Sequence, residues 1–546
     1  MIKKRNVNGR NVHWPVGKFR CFEIRNVCQN STTSLSCLSI SMSDESYSVC
    51  VVGAGVTGVF TSLLFARLGF RVTVADKTQG SPLSHKNIPS ADNVMLTQKS
   101  MNALKEVDAL GLVSASSVVI SCIALHTMNI HIVKRAFPST DLVLWSVPRH
   151  AFHSILLDLA NSQGVRVSYG KILLDCCEDG TCTFKEYDSF TTKEHFDLII
   201  GADGTHSSVR HALLASHNLD YSQKFIPFGY KSFVIPPITK RITSPPITAT
   251  GDVQVRFEND FALADAGVSL SVWQRDDCLL TMLPGENHSL VATLVAPISK
   301  LTLDIVYDTS KDQVQPLFTY LFPDLALYTP DLRSFVAPLV EIRTSPCQVG
   351  NVVLVGSAAH TVVPWLGPST GVNIALWDAL MLHRTIQKRI VSNTFGCVCV
   401  KGSASITTDA SSEMPSIPLR EVLSVLELHH CLETYAETQQ RGVDALAGVN
   451  NQYFMRLAEP RGSILQRLRC GFEFALEKLF PTYFVPLYER LAFLDEPYEV
   501  SVEASERQSG YVNAIGVVLV GTVGAGLYAL LSSAVLAYGA WKDKYV

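Results

Sequence analysis

Metal-ligand spacing is missing from this sequence, although it holds 14 cysteines. The stretches "CCEDGTC" (Cys176, Cys177, Cys182) and "CVC" (Cys397, Cys399) lack the paired intervals of zinc sites. No metal is therefore expected, and the thiols read as buried or idle in a reducing compartment. Charge is also scarce: charged residues make up 17% and the formal net charge is −3, so no nucleic-acid partner is implied. There is no internal repeat, no Ser/His/Asp cluster and no second dinucleotide-binding unit. What is present in quantity is apolar residues, 47% of 546. That length predicts two or three domains.

Residues 47–78 read as strand, turn, helix and strand: "SVCVV", "GAGVTG", "VFTSLLFARLG", "FRVTVAD". Gly53, Gly55 and Gly58 form G-x-G-x-x-G at the junction of strand and helix. The first glycine makes a tight turn, the second lets a pyrophosphate approach, and the third lets helix and strand pack. Asp76 ends the second strand, where an acid accepts hydrogen bonds from ribose hydroxyls. "DLIIGADGTHSSVR" is a second buried strand ending in a glycine turn, and "NVVLVGSAAHTVVPWLGPSTGVN" is a third. Residues 98–112 and 149–163 read as helices, and a further helix is expected to run to about Lys388.

Three such turns, near Gly53, Asp203 and Gly356, resemble the flavoprotein monooxygenases of the p-hydroxybenzoate hydroxylase fold. Three further stretches resemble the kynurenine 3-monooxygenase family: "DYSQKFIPFGYKSFVIPP", "VMLTQKSMNALKEVDALGL" and "LFPTYFVPLYERLAF". The resemblance implies an α/β fold, with a Rossmann-type FAD-binding domain interrupted by an antiparallel β-sheet substrate domain. C-terminal helices and one transmembrane helix complete it. FAD is the implied cofactor, with NADPH and O2 as co-substrates and a small aromatic substrate. The implied FAD contacts are Gly53, Gly55, Thr57, Gly58, Ala75, Asp76, Lys77, Arg149, Asp203, Ser357, Val372 and Asn373. Substrate contacts fall on Asn451, Tyr488, Ile123 and Phe137, and Trp365 is expected to line the ring pocket. The chemistry implied is that of a flavin hydroperoxide, so no catalytic side chain is called for, and His360 reads as structural.

Two substrate positions depart from the family. Ile123 stands where the family has an arginine for an amino-acid carboxylate, and Phe137 stands in place of a tyrosine. Lys134 and Arg135 are the nearby cations. Three readings stay open. The first is an FAD- and NADPH-dependent hydroxylase converting kynurenine to 3-hydroxykynurenine. The second is the same chemistry on an aromatic or cyclic compound lacking that carboxylate. The third is a degenerate flavin-binding membrane protein.

The two ends differ from the middle. Residues 1–45 are basic (Lys3, Lys4, Arg5, Arg10, Lys18, Arg20, Arg25) and read as a disordered or targeting extension, or as the product of a start upstream of Met42. From Gln508 to Trp541 there is no charged residue, which suits a membrane span of about 20 residues. The expected layout is 46–220 FAD-binding, 221–345 mainly β, 346–391 FAD-binding again, 392–418 an exposed insertion, 419–507 helical and 511–541 a tail anchor. The anchor implies the mitochondrial outer membrane, with the catalytic body in the cytosol. At Ser357 the family has aspartate, a charged acceptor for a ribityl hydroxyl. Ser357→Asp is thus expected to tighten FAD binding in a fluorescence titration; unchanged affinity would count against the assignment of this loop.

Overall fold

The computed structural model describes residues 46–80, 92–126, 132–137, 142–186, 190–235, 268–301, 320–325, 336–363, 370–401, 419–458, 472–473 and 475–545. The chain opens with β1 (Ser48–Val52), α1 (Val56–Arg67) and β2 (Arg71–Asp76). There follow α2 (Gln98–Lys105), β3 (Cys122–His126), β4 (Ile132–Ala136), α3 (Arg149–Ser162) and β5 (Arg166–Tyr169). β6 (Leu198–Gly201) and α4 (Ser208–Ser216) complete the first half. The middle holds β7 (Asp220–Ile235), β8 (Ser269–Arg275), β9 (Cys278–Pro284), β10 (Leu290–Pro297) and β11 (Ala337–Ser345). β12 (Gln348–Val349), β13 (Val352–Leu354), α5 (Thr370–Lys401), α6 (Val425–Ala458), α7 (Leu487–Phe493) and α8 (Tyr498–Tyr545) follow.

Two large sheets organise these elements. The first runs β12-β13-β6-β1-β2-β5 and is parallel except for its β12 edge. Parallel strands are covered on both faces, which is why "SVCVV" and "LIIG" are continuous apolar runs and wholly buried. The second sheet runs β11-β7-β10-β9-β8-β3-β4. It corrects the expected domain boundary. β3 and β4 precede residue 220 in sequence, yet they belong to the β sheet, with β3 pairing in parallel to β8. The 392–418 insertion is corrected at its start: α5 continues to Lys401, because Ile390 and Thr394 are buried against its neighbours. Residues 402–418 and 1–45 lie outside the described residues.

Among the described cysteines, Cys177 is exposed and Cys122 half-buried. Cys50, Cys176, Cys182, Cys278, Cys347 and Cys431 are free and buried. Burial pushes the Cys278 and Cys347 thiols up to about 12, so neither forms a thiolate near neutral pH.

The last helix, α8, runs on for 48 residues and contains residues 511–541, where the sequence led to the expectation of a membrane span. Among the described residues, no helix is long and apolar enough to cross a membrane. The rod joins the body through a buried lysine. Lys99 on α2 donates to the Glu496 carbonyl at 2.6 Å and lies over the rings of Tyr498 (4.0 Å) and Trp377 (4.7 Å). Burial pulls its ammonium down to about 8, against the raising effect of the nearby Glu496, Asp495 and Glu499 carboxylates.

Two predictions follow from packing. A Cβ on Gly58 would meet the Gly53 carbonyl oxygen at 1.9 Å, whereas one on Gly111 meets nothing within 4 Å. Gly58→Ala should cost about 3 kcal/mol or more in denaturant unfolding, and Gly111→Ala should cost far less. For Lys99 the folded form releases its proton near pH 8, while the unfolded chain keeps it to about pH 10.5. Between those values the unfolded state binds more protons, so stability rises with pH, by about 3 kcal/mol for this group. Denaturant midpoints from pH 7.5 to 10.5 should show that rise in the wild type and its loss in Lys99→Met.

Candidate functional site at the carboxyl ends of the parallel strands

β13, β6, β1 and β2 are consecutive neighbours in the parallel sheet. Their carboxyl ends therefore deliver Gly356, Asp203, Gly53 and Asp76 side by side, the usual location of a ligand in an open α/β sheet. The loops touch one another. The Gly53 amide donates to the Ala75 carbonyl at 2.8 Å, and a Cβ on Gly53 (φ +104°) would lie 2.7 Å from the Ala202 oxygen. Gly356 (φ +58°) is likewise closed in, with the Ala375 and Thr57 methyl groups 2.7 and 3.3 Å from where its Cβ would be. At these two positions glycine answers both to the left-handed backbone and to the space.

Gly55 is different. Nothing lies within 4 Å of a Cβ built there, and as N-cap of α1 it offers no side-chain cap to the helix amides. An open, uncapped helix start attracts an anion. Asp76 receives the Ala54 amide on Oδ2 (2.6 Å) and the Thr78 amide and hydroxyl on Oδ1 (2.8 and 2.6 Å). The acid expected to hold a ribose thus also braces the glycine loop. His153, which the sequence did not single out, binds the Ala54 carbonyl at 2.6 Å from α3. Arg149 opens the same helix and is ion-paired with Asp92. Thr57 and Ala75 lie in this loop system, and Lys77 follows Asp76 at the surface.

Asp203 accepts from the Ser208 and Val209 amides with Oδ2 (2.6 and 3.3 Å), capping α4. Arg210, in the first turn of α4, is almost fully buried. It donates to the Ala358 carbonyl at 2.7 Å and to the Thr205 carbonyl at 2.6 Å, tying the second loop to the third. Ser357 sits half-buried in the single turn Gly356–Ala358. The acid serving this loop is Asp378 on α5: its Oδ2 accepts the Gly356 amide at 3.1 Å and binds His360 Nε2 at 2.7 Å, all of it buried. His360 is accordingly structural. Asn373 spends its side chain on the protein. Oδ1 accepts from Thr97 N, Thr97 Oγ1 and Ser100 Oγ, while Nδ2 donates to the Met95 carbonyl at 2.7 Å. Val372 beside it packs on the main core.

Two of the four expected substrate positions, Ile123 and Phe137, meet at Met95. Ile120, Phe137, Leu144, Leu270, Leu283, Ala492 and Phe493 form one apolar cluster with it, and Ile123 packs against this cluster half-buried. The Phe137 and Phe493 rings meet edge to face at 4.9 Å. Phe493 ends α7, whose first turn carries Tyr488, with its hydroxyl donating to Glu489 at 2.7 Å. Asn451 lies on α6, but its side chain is outside the described residues, as is Trp365.

A family profile described as an FAD binding domain matches residues 46–391. The chain belongs to the FAD-binding domain family. Kynurenine 3-monooxygenase of Dictyostelium discoideum is 26% identical over 466 residues, covering 82% of this chain and 89% of that protein. The Sus scrofa enzyme of the same name is 24% identical over 476 residues, covering 85% and 88%. Among solved structures, 2-methyl-3-hydroxypyridine-5-carboxylic acid oxygenase matches with a TM-score of 0.55 at 16% identity, over 76% of this chain and 93% of that one. P. aeruginosa PqsL matches at 0.53 and 15%, over 76% and 96%. The structural matches establish the shared fold; with the relatives, they make this family member an FAD-dependent monooxygenase.

The residues present suit FAD. The open helix start at Gly55 suits a pyrophosphate, Asp76 retains lone pairs for ribose hydroxyls, and Asp203 Oδ1 is a buried acceptor without a hydrogen-bond partner. Asp378 was missed because a lone acid inside a helical run looks like surface; only its burial under the third loop reveals it. Asp378→Leu removes the acceptor for two buried donors, each worth about 1–3 kcal/mol. FAD affinity should fall about a hundredfold in a titration of apoprotein with folding retained by circular dichroism, and Asp378→Asn, which keeps an acceptor, should lose less.

Proposed function

We propose that the chain hydroxylates kynurenine to 3-hydroxykynurenine, using FAD, NADPH and O2. The observation that carries this reading is the apolar cluster around Met95, Phe137 and Phe493. It abuts the start of α5, because Asn373 there donates to the Met95 carbonyl. An aromatic substrate lying there is beside the third cofactor loop. The similarity to the kynurenine 3-monooxygenases of Dictyostelium discoideum and Sus scrofa is further support.

Bound FAD supplies reduction by NADPH and activation of O2 for transfer of one oxygen atom to the ring. The protein's share is placement and dryness. Gly55 and the start of α1 receive the pyrophosphate, and Asp76 holds the ribose. Arg149 and Asp203 would border the cofactor. Asp378, His360 and Arg210 fix the third loop from behind. Met95, Ile123, Phe137 and Phe493 seat the substrate ring and exclude water, which sharpens every electrostatic contact inside. The aromatic amine of kynurenine activates the ring position that receives oxygen.

A second reading, the same chemistry on a substrate without a carboxylate, is favoured by Ile123 and Phe137. We also propose that α8 anchors the enzyme in the mitochondrial outer membrane with its catalytic body in the cytosol. The uncharged run from Gln508 to Trp541 supports this. Purified protein should show the visible absorption of bound flavin, and NADPH oxidation should be stimulated by kynurenine with matching 3-hydroxykynurenine. Flavin without kynurenine stimulation would favour the second reading, and absence of flavin would defeat both. Alkaline carbonate extraction should leave the full chain, but not one ending at Arg507, in the membrane pellet.

A further inference from the structure

The acid behind the third cofactor loop spends only one of its two oxygens on the protein. Asp378 Oδ2 accepts the Gly356 amide and binds His360 Nε2, while among the described residues Oδ1 takes no hydrogen bond. Asp378 also lines a cavity between α5, α6 and the start of α8, with room for water. Sequence spacing sets what α6 brings to it. Tyr435, Thr438, Gln439 and Gly442 recur at intervals of three and four, so they share one face of that helix. Gly442 lets α8 come close: a Cβ there would lie 3.4 Å from Glu499 Oε2 and 3.9 Å from Tyr498 Cβ. Along this face two donors are buried without a hydrogen-bond partner, the Tyr435 hydroxyl and Gln439 Nε2. Their side chains belong to residues only 1% and 8% exposed. Burial pushes the Tyr435 phenol well above its ordinary pKa, and Asp378 adds to the effect, so the hydroxyl keeps its proton.

We infer that this cavity is a water site, and that Tyr435 and Gln439 are positioning residues for the third cofactor loop, acting on Asp378 through that water. The inference rests on the FAD reading of the loop. Buried polar groups left unpaired are costly, and a bridging water removes the cost where about two to four polar partners converge. Here the partners are complementary. Water accepts from the Tyr435 hydroxyl and from Gln439 Nε2, and donates to Asp378 Oδ1. Its second hydrogen goes to Thr438, whose hydroxyl donates to the Thr434 carbonyl at 2.9 Å and keeps its lone pairs. A bound anion would instead face two carboxylates on the cavity wall, Asp378 and Glu499. Trp377 and Tyr498, both buried, shield the network from solvent, where a hydrogen bond to a carboxylate is strongest. With Oδ1 held by water, the plane of the carboxylate is fixed and Oδ2 stays on the Gly356 amide. The competing use of Tyr435 and Gln439 is packing of α6 against α5. That role acts on stability and is indifferent to the loop.

The test uses the full chain and FAD. A crystal structure of the flavin-loaded protein should show ordered water bonded to the Tyr435 hydroxyl and to Asp378 Oδ1. A dry cavity overturns the inference, however the variants fold. In fluorescence titration of the apoprotein, Tyr435→Phe and Gln439→Leu should each raise the Kd for FAD about fivefold. Both should also alter the visible circular dichroism of the bound flavin, a signal that helix packing alone leaves unmoved. On an Asp378→Leu background the same two changes should leave the Kd within about twofold, because the group they act on is gone. Equal losses on both backgrounds, or FAD binding unchanged in both single variants, would overturn the inference and leave the FAD reading standing. A wild type that takes up no FAD overturns that reading and this inference with it.

Discussion

One buried carboxylate holds the site together. Asp378 takes the Gly356 amide and His360 Nε2 on the same oxygen, and both partners are shut away from water. The third cofactor loop lies about 150 residues downstream of the second in sequence, so no local interaction positions it. Its backbone must be held from behind by the helix that follows it. Arg210 does the complementary task from the other side, reaching the Ala358 carbonyl out of the second loop's helix. With either tether cut, the strands would still deliver the loop to the right edge of the sheet, but the glycine turns would lose their mutual fit. Burying such groups is stabilising only because each has a partner.

The glycine turns show what a sequence reveals and what it conceals. Their spacing after apolar strands identified all three loops, because turn geometry is a local property written in local residues. The roles of the three leading glycines also proved separable by shape: Gly53 and Gly58 are closed in by backbone, and Gly55 is open. Asp378, His153 and Arg210 escaped notice for the opposite reason. Each acts on a carbonyl, amide or imidazole remote in sequence or across a loop, and nothing in the surrounding residues marks it. Asn373 was read as a cofactor ligand, and its side chain turns out to clamp the segment from Met95 to Ser100.

The domain boundary was misjudged for a topological reason. β3 and β4 stand amid elements of the cofactor domain, and their short runs look no different from other strands. Only the pairing of β3 with β8 assigns them to the second sheet. The aromatic cluster is built the same way, from Met95, Phe137, Leu283 and Phe493, four segments far apart in the chain. The two departures from the family at Ile123 and Phe137 were legible as single letters. That Ile123 lies in register with Leu270 of the second sheet was not, since register is a property of the folded sheet.

The helix that begins at Tyr498 has no break through Tyr545. At about 1.5 Å per residue it is a strut on the order of 70 Å long. Its near end is gripped by the Lys99 ammonium between two aromatic rings, against the wall of the cofactor domain. A strut clamped at one end and free of hinges transmits angle as well as distance. A helix of this kind keeps its residues at set distances along one axis, as a flexible linker would not. The chain beyond Tyr498 therefore has a length set by helix geometry.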